Sequence, residues 1–143
     1  YVDGERLARP FDEAGWFCSG DHGSVDADGW LTILGRSDTM FISGGENIYP
    51  EEIEMALCRI EEIEQAVVVA LSHPEYGSRP VAFVKTMQAQ GLEPDRIRDR
   101  LRDFLPGYKI PDRIFGWPET VSSDMKPNRA QFTDFARRLC ALD

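Results

Sequence analysis

The chain has 143 residues, of which 42% are hydrophobic and 29% are charged. This composition is typical of one globular domain, or of a small domain joined to part of a neighbour. The formal net charge of −9 argues against a nucleic-acid partner, because a surface that follows a phosphate backbone needs clustered Lys and Arg.

Membrane and secretory signals are not found in this sequence. Every apolar run is shorter than the roughly 20 residues of a membrane-spanning helix, and no segment has the pattern of a signal peptide. We therefore expect no transmembrane segment.

Cysteine and histidine usage indicates a reducing environment. The three cysteines, Cys18, Cys58 and Cys140, are an odd number, are widely spaced and form no CxxC pair. His22 and His73 lie at no spacing typical of metal ligands. We expect a cytoplasmic protein with neither a disulfide framework nor a metal site.

Residues 1–36 are rich in Gly and Asp. Within them, residues 26–29 (Asp-Ala-Asp-Gly) separate Val25 from the apolar run 30–34, a pattern that predicts a β-hairpin. This region has too few apolar residues to form a core, so we expect it to pack on a partner. The first residue, Tyr1, is not Met, which leads us to expect a fragment of a longer chain.

Residues 40–43 predict a strand that ends at a Gly-Gly turn, and a helix follows from Pro50. Proline is well tolerated at the first helical position, and Glu51 and Glu52 favour the positive end of the helix dipole. Helical spacing predicts an apolar inner face of Ile53, Ala56, Leu57 and Ile60. It predicts a solvated acidic outer face of Glu51, Glu54, Glu61 and Glu62.

The remaining patterns predict strands at 66–71, 81–86 and 113–117, with a loop at 73–80. A helix from Pro94 and a final helix over 131–142 are predicted by their apolar periodicity. Their inward residues are expected to be Ile97, Leu101, Phe104 and Leu105, then Phe132, Phe135, Ala136 and Leu139. The element order predicts an α/β (α+β) fold, with a small three-stranded sheet and helices on both faces.

Four local features could carry chemistry, and each also has an ordinary structural interpretation. Asp21, after Ser19-Gly20, could accept hydrogen bonds from ribose hydroxyls or simply occupy a turn. Arg36 could bind phosphate or ribose oxygens, with Asp38 where the backbone bends, or the two could form a salt bridge. Gly44 and Gly45 allow close approach of a ligand or a tight turn.

The fourth feature is Lys126, in the loop 121–129, and nothing in its neighbourhood distinguishes it from a solvent-facing lysine.

Taken in order, these motifs resemble a known family. They are GWF (15–17), GD (20–21), GRSD (35–38), SGGENIYPEEIE (43–54), YKIP (108–111) and KPNR (126–129). The chain resembles the C-terminal part of the AMP-forming acyl-CoA synthetases, within the adenylate-forming superfamily. These enzymes join a carboxylic acid to ATP, forming an acyl-adenylate and pyrophosphate, and CoA then displaces AMP.

The resemblance implies roles for three residues near the hairpin. Asp21 matches the aspartate that binds the ribose hydroxyls of ATP and AMP. Arg36 matches an arginine that contacts the nucleotide. Asp38 matches the hinge about which the C-terminal domain rotates between the two half-reactions. The implied division is residues 1–37, the end of a large N-terminal adenylation domain, and residues 38–143, a mobile C-terminal lid domain.

The resemblance also implies a catalytic lysine and a channel for the thiol. Lys126 matches the lysine needed for adenylation, although Met125 and Pro127 depart from the usual glycine and aliphatic residue. We prefer Lys126 to Lys109 for this role. Rotation of the domain would bring Gly44 and Gly45 beside the channel for the pantetheine arm of CoA.

Further expectations follow from the resemblance. The substrates would be a carboxylic acid, ATP with Mg²⁺ bound mainly by the N-terminal domain, and CoA. The partner would be that N-terminal domain, and the fragment alone would be inactive. A homo-oligomer is left open.

Residues 76–84 (YGSRPVAFV) and the unusual lysine loop are similar to the subgroup of o-succinylbenzoate–CoA ligases of menaquinone biosynthesis. The alternative is another medium-chain acyl- or aryl-CoA synthetase. A peptide-synthetase adenylation domain would continue into a carrier domain with a Ser for phosphopantetheine, which is not seen. A stand-alone binding module would leave the apolar residues of 1–36 exposed.

Overall fold

A computed structural model describes residues 11–87, 93–121 and 127–141, together with the backbone of residues 2–3 and 6–7. The strands are β1 Val2–Asp3, β2 Arg6–Leu7, β3 Asp21–Val25, β4 Leu31–Arg36, β5 Phe41–Ser43, β6 Glu46–Ile48, β7 Ile63–His73, β8 Gly77–Thr86 and β9 Arg113–Gly116. The helices are α1 Pro50–Leu57, α2 Pro94–Leu101 and α3 Arg129–Cys140, with a 3-10 turn at Gly107–Lys109.

Three antiparallel pairs, β1–β2, β3–β4 and β5–β6, precede the main sheet. The turn between β3 and β4 forms as predicted. The Asp26 carboxylate accepts the backbone N–H groups of Asp28 and Trp30, and Gly29 has a φ of +86°. The local sequence therefore determines this hairpin by side-chain hydrogen bonding and one glycine.

The Gly-Gly turn joins β5 to a strand that the sequence patterns did not predict. Gly44 and Gly45 have φ values of +57° and +89°, and two successive positive φ angles suit a tight hairpin turn. The chain returns as β6, pairing Phe41 with Ile48, before α1 begins at Pro50.

The main sheet has the order β7-β8-β9. β7 and β8 are antiparallel from Ile63↔Thr86 to His73↔Gly77, and β9 runs parallel to β8. The loop predicted over 73–80 is wrong, because the ladder continues to Gly77 and leaves a turn of only 74–76. The His73 Nδ1 accepts the backbone N–H groups of Glu75 and Tyr76, which stabilises this short turn.

Two apolar clusters cover opposite faces of this sheet, as predicted. One is formed with α1 and α2 and includes Ile53, Leu57, Ile97, Leu101, Val68 and Val84. The other is formed with α3 and includes Val67, Val69, Phe83, Phe132 and Ala136. Alternate residues of β7 thus enter opposite clusters, as the two-residue period of a strand requires.

Several predicted helix faces need correction. Phe104 is 40% exposed, because α2 ends at Leu101 and its i+3 periodicity does not continue. Leu139 is 39% exposed near the end of α3. Helix α3 begins at Arg129, two residues earlier than predicted, where the Asn128 side chain accepts the Ala130 N–H. Residue 142 of the predicted helix lies outside the described residues.

Most apolar side chains of residues 11–35 are exposed. Trp16 and Trp30 are 75% and 74% exposed, and Val25 and Leu31 on the β3–β4 hairpin are exposed as well. Both apolar clusters are built from residues after Met40. None of the helices among the described residues combines the length and apolar character needed to cross a bilayer.

Candidate functional site

Asp21, Arg36 and Asp38 meet at the open end of the β3–β4 hairpin. Asp21 and Arg36 are register partners, which places both side chains at the same end, and Arg36 Nη1 lies 3.7 Å from Asp21 Oδ1. The Arg36 guanidinium donates to both carboxylate oxygens of Asp38, at 2.9 and 3.1 Å. The structure therefore brings together three of the residues that the sequence singled out.

The surroundings of this trio leave it accessible to a ligand. The Arg36 side chain is 50% exposed and that of Asp21 is 37% exposed. Hydrogen bonding to Asp38 raises the pKa of Arg36 above its ordinary value, and hydrogen bonding to Arg36 lowers the pKa of Asp38. The Arg36 guanidinium thus places a fork of hydrogen-bond donors between the carboxyl groups of Asp21 and Asp38.

The hairpin end is also held to the chain around it. Ser37 donates both its backbone N–H and its hydroxyl to the carbonyl of Gly20, at 2.8 and 2.9 Å. Gly20 has a φ of +78°, so the residue before Asp21 adopts a conformation that favours glycine. These contacts fix the spacing between the Asp21 and Arg36 strands.

Gly44 and Gly45 lie in a separate turn, between β5 and β6. The Gly44 N–H donates to the Tyr76 carbonyl at 2.9 Å, and a Cβ on Gly44 would lie 3.3 Å from the Tyr76 ring. A Cβ on Gly45 would meet open space. Gly44 therefore lies close against Tyr76, whereas Gly45 faces open space.

A cleft of about 540 Å³ lies beside this turn. It is lined by Ser43, Gly44, Glu46, His73, Tyr76, Arg79, Gly107, Tyr108 and Asp112. The His73 and Tyr76 rings lie 4.9 Å apart between centroids and are tilted by 31°, and the Arg79 guanidinium lies 5.6 Å from the centre of the Tyr76 ring.

Arg79 organises one wall of this cleft. Its guanidinium donates to the Asp112 carboxylate at 2.7 and 2.9 Å and to the Ser43 hydroxyl at 3.3 Å. It also donates to the backbone carbonyls of Tyr108 and Ile110, at 2.7 and 3.2 Å. We call these groups the Arg79 cluster. Sequence patterns did not identify Arg79 as a contact residue, because its partners are 29 to 36 positions away.

Lys126, the predicted catalytic residue, lies outside the described residues. Lys109, the lysine weighed against it, is described. Its ammonium group contacts both carboxylate oxygens of Glu52, at 2.6 and 2.7 Å, and its side chain is 14% exposed. Lys109 is therefore engaged in a largely buried ion pair.

Arg129 forms a second ion-pair cluster, which sequence patterns did not reveal. Its guanidinium donates to Glu54 at 2.5 and 3.0 Å, to Glu51 at 2.8 Å and to the Val68 carbonyl at 2.7 Å. The Glu54 carboxylate in turn accepts the Val68 N–H at 2.7 Å. We call these four residues the Arg129 cluster.

The prediction that Glu51 and Glu54 form part of a solvated face is therefore wrong. Their side chains are only 25% and 18% exposed, since α3 brings Arg129 onto them. Burial lowers the pKa of Arg129, but hydrogen bonds and charge from Glu54 and then Glu51 outweigh burial and raise it above its ordinary value.

Glu51 also connects this cluster to the predicted hinge. Its Oε1 accepts the Thr39 hydroxyl at 2.8 Å, one residue after Asp38. Its Oε2 is buried with no hydrogen-bond partner among the described residues. A Cβ on Gly35 would lie 2.7 Å from that oxygen, so only glycine fits here without displacement.

The described residues contain no group of three or more His, Cys, Asp or Glu side chains arranged to hold a metal ion. The acidic residues of α1 instead face Arg129 and Lys109.

A family profile for the AMP-binding enzyme C-terminal domain matches residues 52–124. A 2-succinylbenzoate–CoA ligase from Geobacillus sp. (strain WCH70) is 40% identical over 101 residues, which are 71% of this chain and 20% of that protein. A feruloyl-CoA synthase from Amycolatopsis sp. is 38% identical over 100 residues, 70% of this chain and 20% of that protein.

A solved structure shares the fold. The o-succinylbenzoate CoA synthetase (MenE) from Bacillus subtilis, in complex with the acyl-adenylate intermediate OSB-AMP, matches with a TM-score of 0.69 and 31% identity. The match covers 85% of this chain and 23% of that one, so the chain spans about a fifth to a quarter of these relatives. Because the profile covers half of the sequence, the chain belongs to the AMP-binding enzyme C-terminal domain family.

Proposed function

We propose that this chain is the C-terminal part of an ATP-dependent, AMP-forming acid–CoA ligase. Membership of the AMP-binding enzyme C-terminal domain family is the observation that carries the proposal. The contact between Asp21, Arg36 and Asp38 supports it, because nucleotide and hinge residues would have to be adjacent in such an enzyme.

Two successive displacements make up the proposed reaction. A carboxylate oxygen of the acid attacks the α-phosphorus of ATP, a new P–O bond forms, and the bond to the β-phosphate oxygen breaks to release pyrophosphate. The sulfur of CoA then attacks the acyl carbon, its proton leaves, and the bond to the adenylate oxygen breaks to release AMP. The products are the CoA thioester, AMP and pyrophosphate.

In this proposal, Asp21 and Arg36 bind the nucleotide. The Asp21 carboxylate can accept hydrogen bonds from both ribose hydroxyls, and Arg36 can donate to ribose or phosphate oxygens. Their exposure leaves both groups within reach of a ligand. Asp38 is the proposed hinge, and its bidentate pair with Arg36 would link the pivot to the nucleotide.

Lys126 is proposed to assist adenylation. Attack of a carboxylate on the α-phosphate brings negative groups together, and a cation placed between them stabilises the developing charge. The pairing of Lys109 with Glu52 favours Lys126 for this task, because Lys109 is already committed. Gly44 and Gly45 are proposed to flank the path of the CoA pantetheine arm, where side chains would obstruct the thiol.

We further propose a domain boundary at residue 38, with residues 1–37 as the end of a large N-terminal domain that is the partner of residues 38–143. The exposed Trp16 and Trp30 support this, since an unpartnered apolar surface of this kind is uncommon. Mg²⁺ would accompany ATP, bound mainly by that domain, and the enzyme would act in the cytoplasm. Residues 1–143 alone would be inactive.

We propose o-succinylbenzoate as the acid, which places the enzyme in menaquinone biosynthesis. The relative and the solved structure whose names contain this substrate support the assignment. The feruloyl-CoA synthase relative, at similar identity, favours an aryl acid as the alternative.

The test is a substrate panel with the full-length enzyme. We expect CoA thioester formation from o-succinylbenzoate to exceed that from ferulate, benzoate and octanoate, with stoichiometric AMP and pyrophosphate. Preference for one of the other acids would overturn the substrate assignment. Adenylation without any thioester would overturn the CoA-ligase assignment and favour a peptide-synthetase adenylation domain. Neither product from any acid would favour a binding module.

A further inference from the structure

Two partly buried arginines hold different parts of the structure after Asp38. The Arg129 side chain is 30% exposed and that of Arg79 is 15% exposed. Each donates to at least one carboxylate and to at least one backbone carbonyl. Guanidinium groups suit this task because their planar fork fixes several partners at once.

Arg129 fixes the beginning of α3. It joins the first residue of this helix to α1, which packs on the opposite face of the sheet, by bonding to Glu51 and Glu54. The Val68 N–H and carbonyl on β7, an edge strand of the sheet, are taken by Glu54 and Arg129. The cluster therefore covers a strand edge and prevents α3 from shifting along it.

This anchor lies three residues after Lys126. The Asn128 side chain caps α3, and Pro127 restricts the backbone before it. Three residues of extended chain span at most about 11 Å. The chain that precedes α3 therefore starts from a position that Arg129 sets. Loosening Arg129 would loosen the origin of that segment.

Arg79 has the corresponding place beside the Gly44–Gly45 turn. Its guanidinium donates to the hydroxyl of Ser43, the residue before the turn. Ser43 is only 2% exposed. The bonds of Arg79 to Asp112 and to the carbonyls of Tyr108 and Ile110 fix the opposite wall of the cleft. Loosening Arg79 would let the turn and this wall move relative to each other.

We infer that Arg129 and Arg79 are positioning residues for different half-reactions: Arg129 for adenylation and Arg79 for CoA thioester formation. This inference rests on the proposed function. The inference goes beyond that function because it assigns a different positioning arginine to each half-reaction within one small domain. Neither arginine needs to touch a substrate, since each acts through the segment that it holds.

The test measures both half-reactions separately in the full-length enzyme. Adenylation is followed by ATP–pyrophosphate exchange, and acyl transfer by CoA capture of a supplied acyl-adenylate. Arg129→Lys and Arg79→Lys keep the charge but lose the fork. Arg137→Lys is the matched control, because Arg137 lies on α3 but its side chain is 69% exposed and, in the described part of the chain, forms its ion pair with the nearby Asp134.

We expect a crossed pattern. Arg129→Lys should lower adenylation by about tenfold or more and change acyl transfer by less than about twofold, since small misplacements of a catalytic group are costly. Arg79→Lys should show the reverse, and Arg137→Lys should leave both rates unchanged. Lys126→Ala serves as the reference for selective loss of adenylation.

Other outcomes overturn the inference. If Arg129→Lys and Arg79→Lys each lowered both half-reactions equally, the two clusters would contribute to stability alone. Unchanged rates in both variants would show that neither arginine positions a half-reaction. If a variant fails to fold, Glu51→Gln and Asp112→Asn replace it with the same expectations. A wild-type enzyme without adenylation, or a Lys126→Ala enzyme that retains it, would instead contradict the proposed function.

Discussion

At the scale of single residues, the exposed carboxylate of Asp38 differs from an isolated aspartate because Arg36 donates to both of its oxygens. Such charge-assisted pairs favour the ionised carboxylate and lower its pKa. The contribution of this pair to folding stability is therefore fully present above the pKa that Asp38 has in the unfolded chain. It is lost as pH falls through the lower pKa of the folded chain, so the pair should persist throughout the neutral range.

We predict that the Asp38 carboxyl titrates below its ordinary pKa of 3.8 in the 143-residue chain. The measurement is the side-chain ¹³C chemical shift followed by NMR from neutral to acid pH. In Arg36→Gln the titration midpoint should rise toward 3.8, because the guanidinium is removed. A midpoint at or above 3.8 in the wild type would contradict the pair.

The sequence identified Asp21, Arg36 and Asp38 as candidates but left open whether they interact. Their contact depends on the β3–β4 register, which a bulge between His22 and Gly23 shifts. Sequence spacing places Arg36 two residues before Asp38, but it does not place Asp21 opposite Arg36. The hairpin supplies that second contact.

At the scale of elements, α3 shows how local pattern and packing combine. Its apolar spacing correctly predicted Phe132 and Ala136 on the inner face, where both are fully buried. The Phe132 ring meets Phe83 and Trp117 edge-on, at 5.2 and 4.9 Å between centroids. These aromatic contacts attach the helix to the sheet.

We predict that Phe132→Ala lowers the free energy of unfolding of the 143-residue chain by about 3–5 kcal/mol, since it leaves a cavity in the second apolar cluster. Phe104→Ala is the control and should cost less than about 1 kcal/mol, because its side chain is substantially exposed. Urea unfolding followed by circular dichroism measures both. Equal losses would contradict the assigned position of Phe104 outside the core.

Helix α1 illustrates the limit of periodicity. Its inner face was correctly predicted from Ile53, Ala56 and Leu57. Glu61 and Glu62 are exposed as predicted, but Glu51 and Glu54 were wrongly assigned to solvent. Helical spacing distinguishes the two sides of a helix but does not show that Arg129 reaches the polar side. An acidic stripe looks the same in sequence whether water or an arginine 75 residues away covers it.

At the scale of the whole molecule, the apolar residues are unevenly distributed along the chain. Both clusters, from Ile48 to Ala136, lie after the proposed boundary at Asp38. The hairpin before it also contacts the residue that precedes α1, since the His22 and Tyr49 rings are 5.6 Å apart between centroids. The region after the boundary thus contains the structure's own hydrophobic core.

We predict that residues 38–143 fold without residues 1–37. Because the truncation removes no member of either apolar cluster, the free energy of unfolding should change by less than about 1 kcal/mol. Urea unfolding of the truncated and 143-residue chains is the measurement. Loss of a cooperative transition on truncation would contradict the boundary and assign the hairpin to the same folding unit.

The sequence by itself determined several local elements and the family. Asp26–Gly29 form their turn by contacts within five residues, Pro50 and Pro94 begin helices, and the β-branched run at 66–71 lies within β7. The ordered motifs from Gly15 to Arg129 indicate the family, and the family profile confirms it. Such features depend on backbone preferences and on residue order, which are present in the sequence.

Only the tertiary structure decided which charged groups meet. Arg129 binds Glu51 and Glu54 because α1 and α3, on opposite faces of the sheet, are joined around the edge strand β7. Arg79 reaches Ser43 and Asp112 for a similar reason, since strands and turns far apart in sequence converge there. Electrostatic partners are set by distance in space, and that distance is determined only when the helices and turns have packed around the sheet.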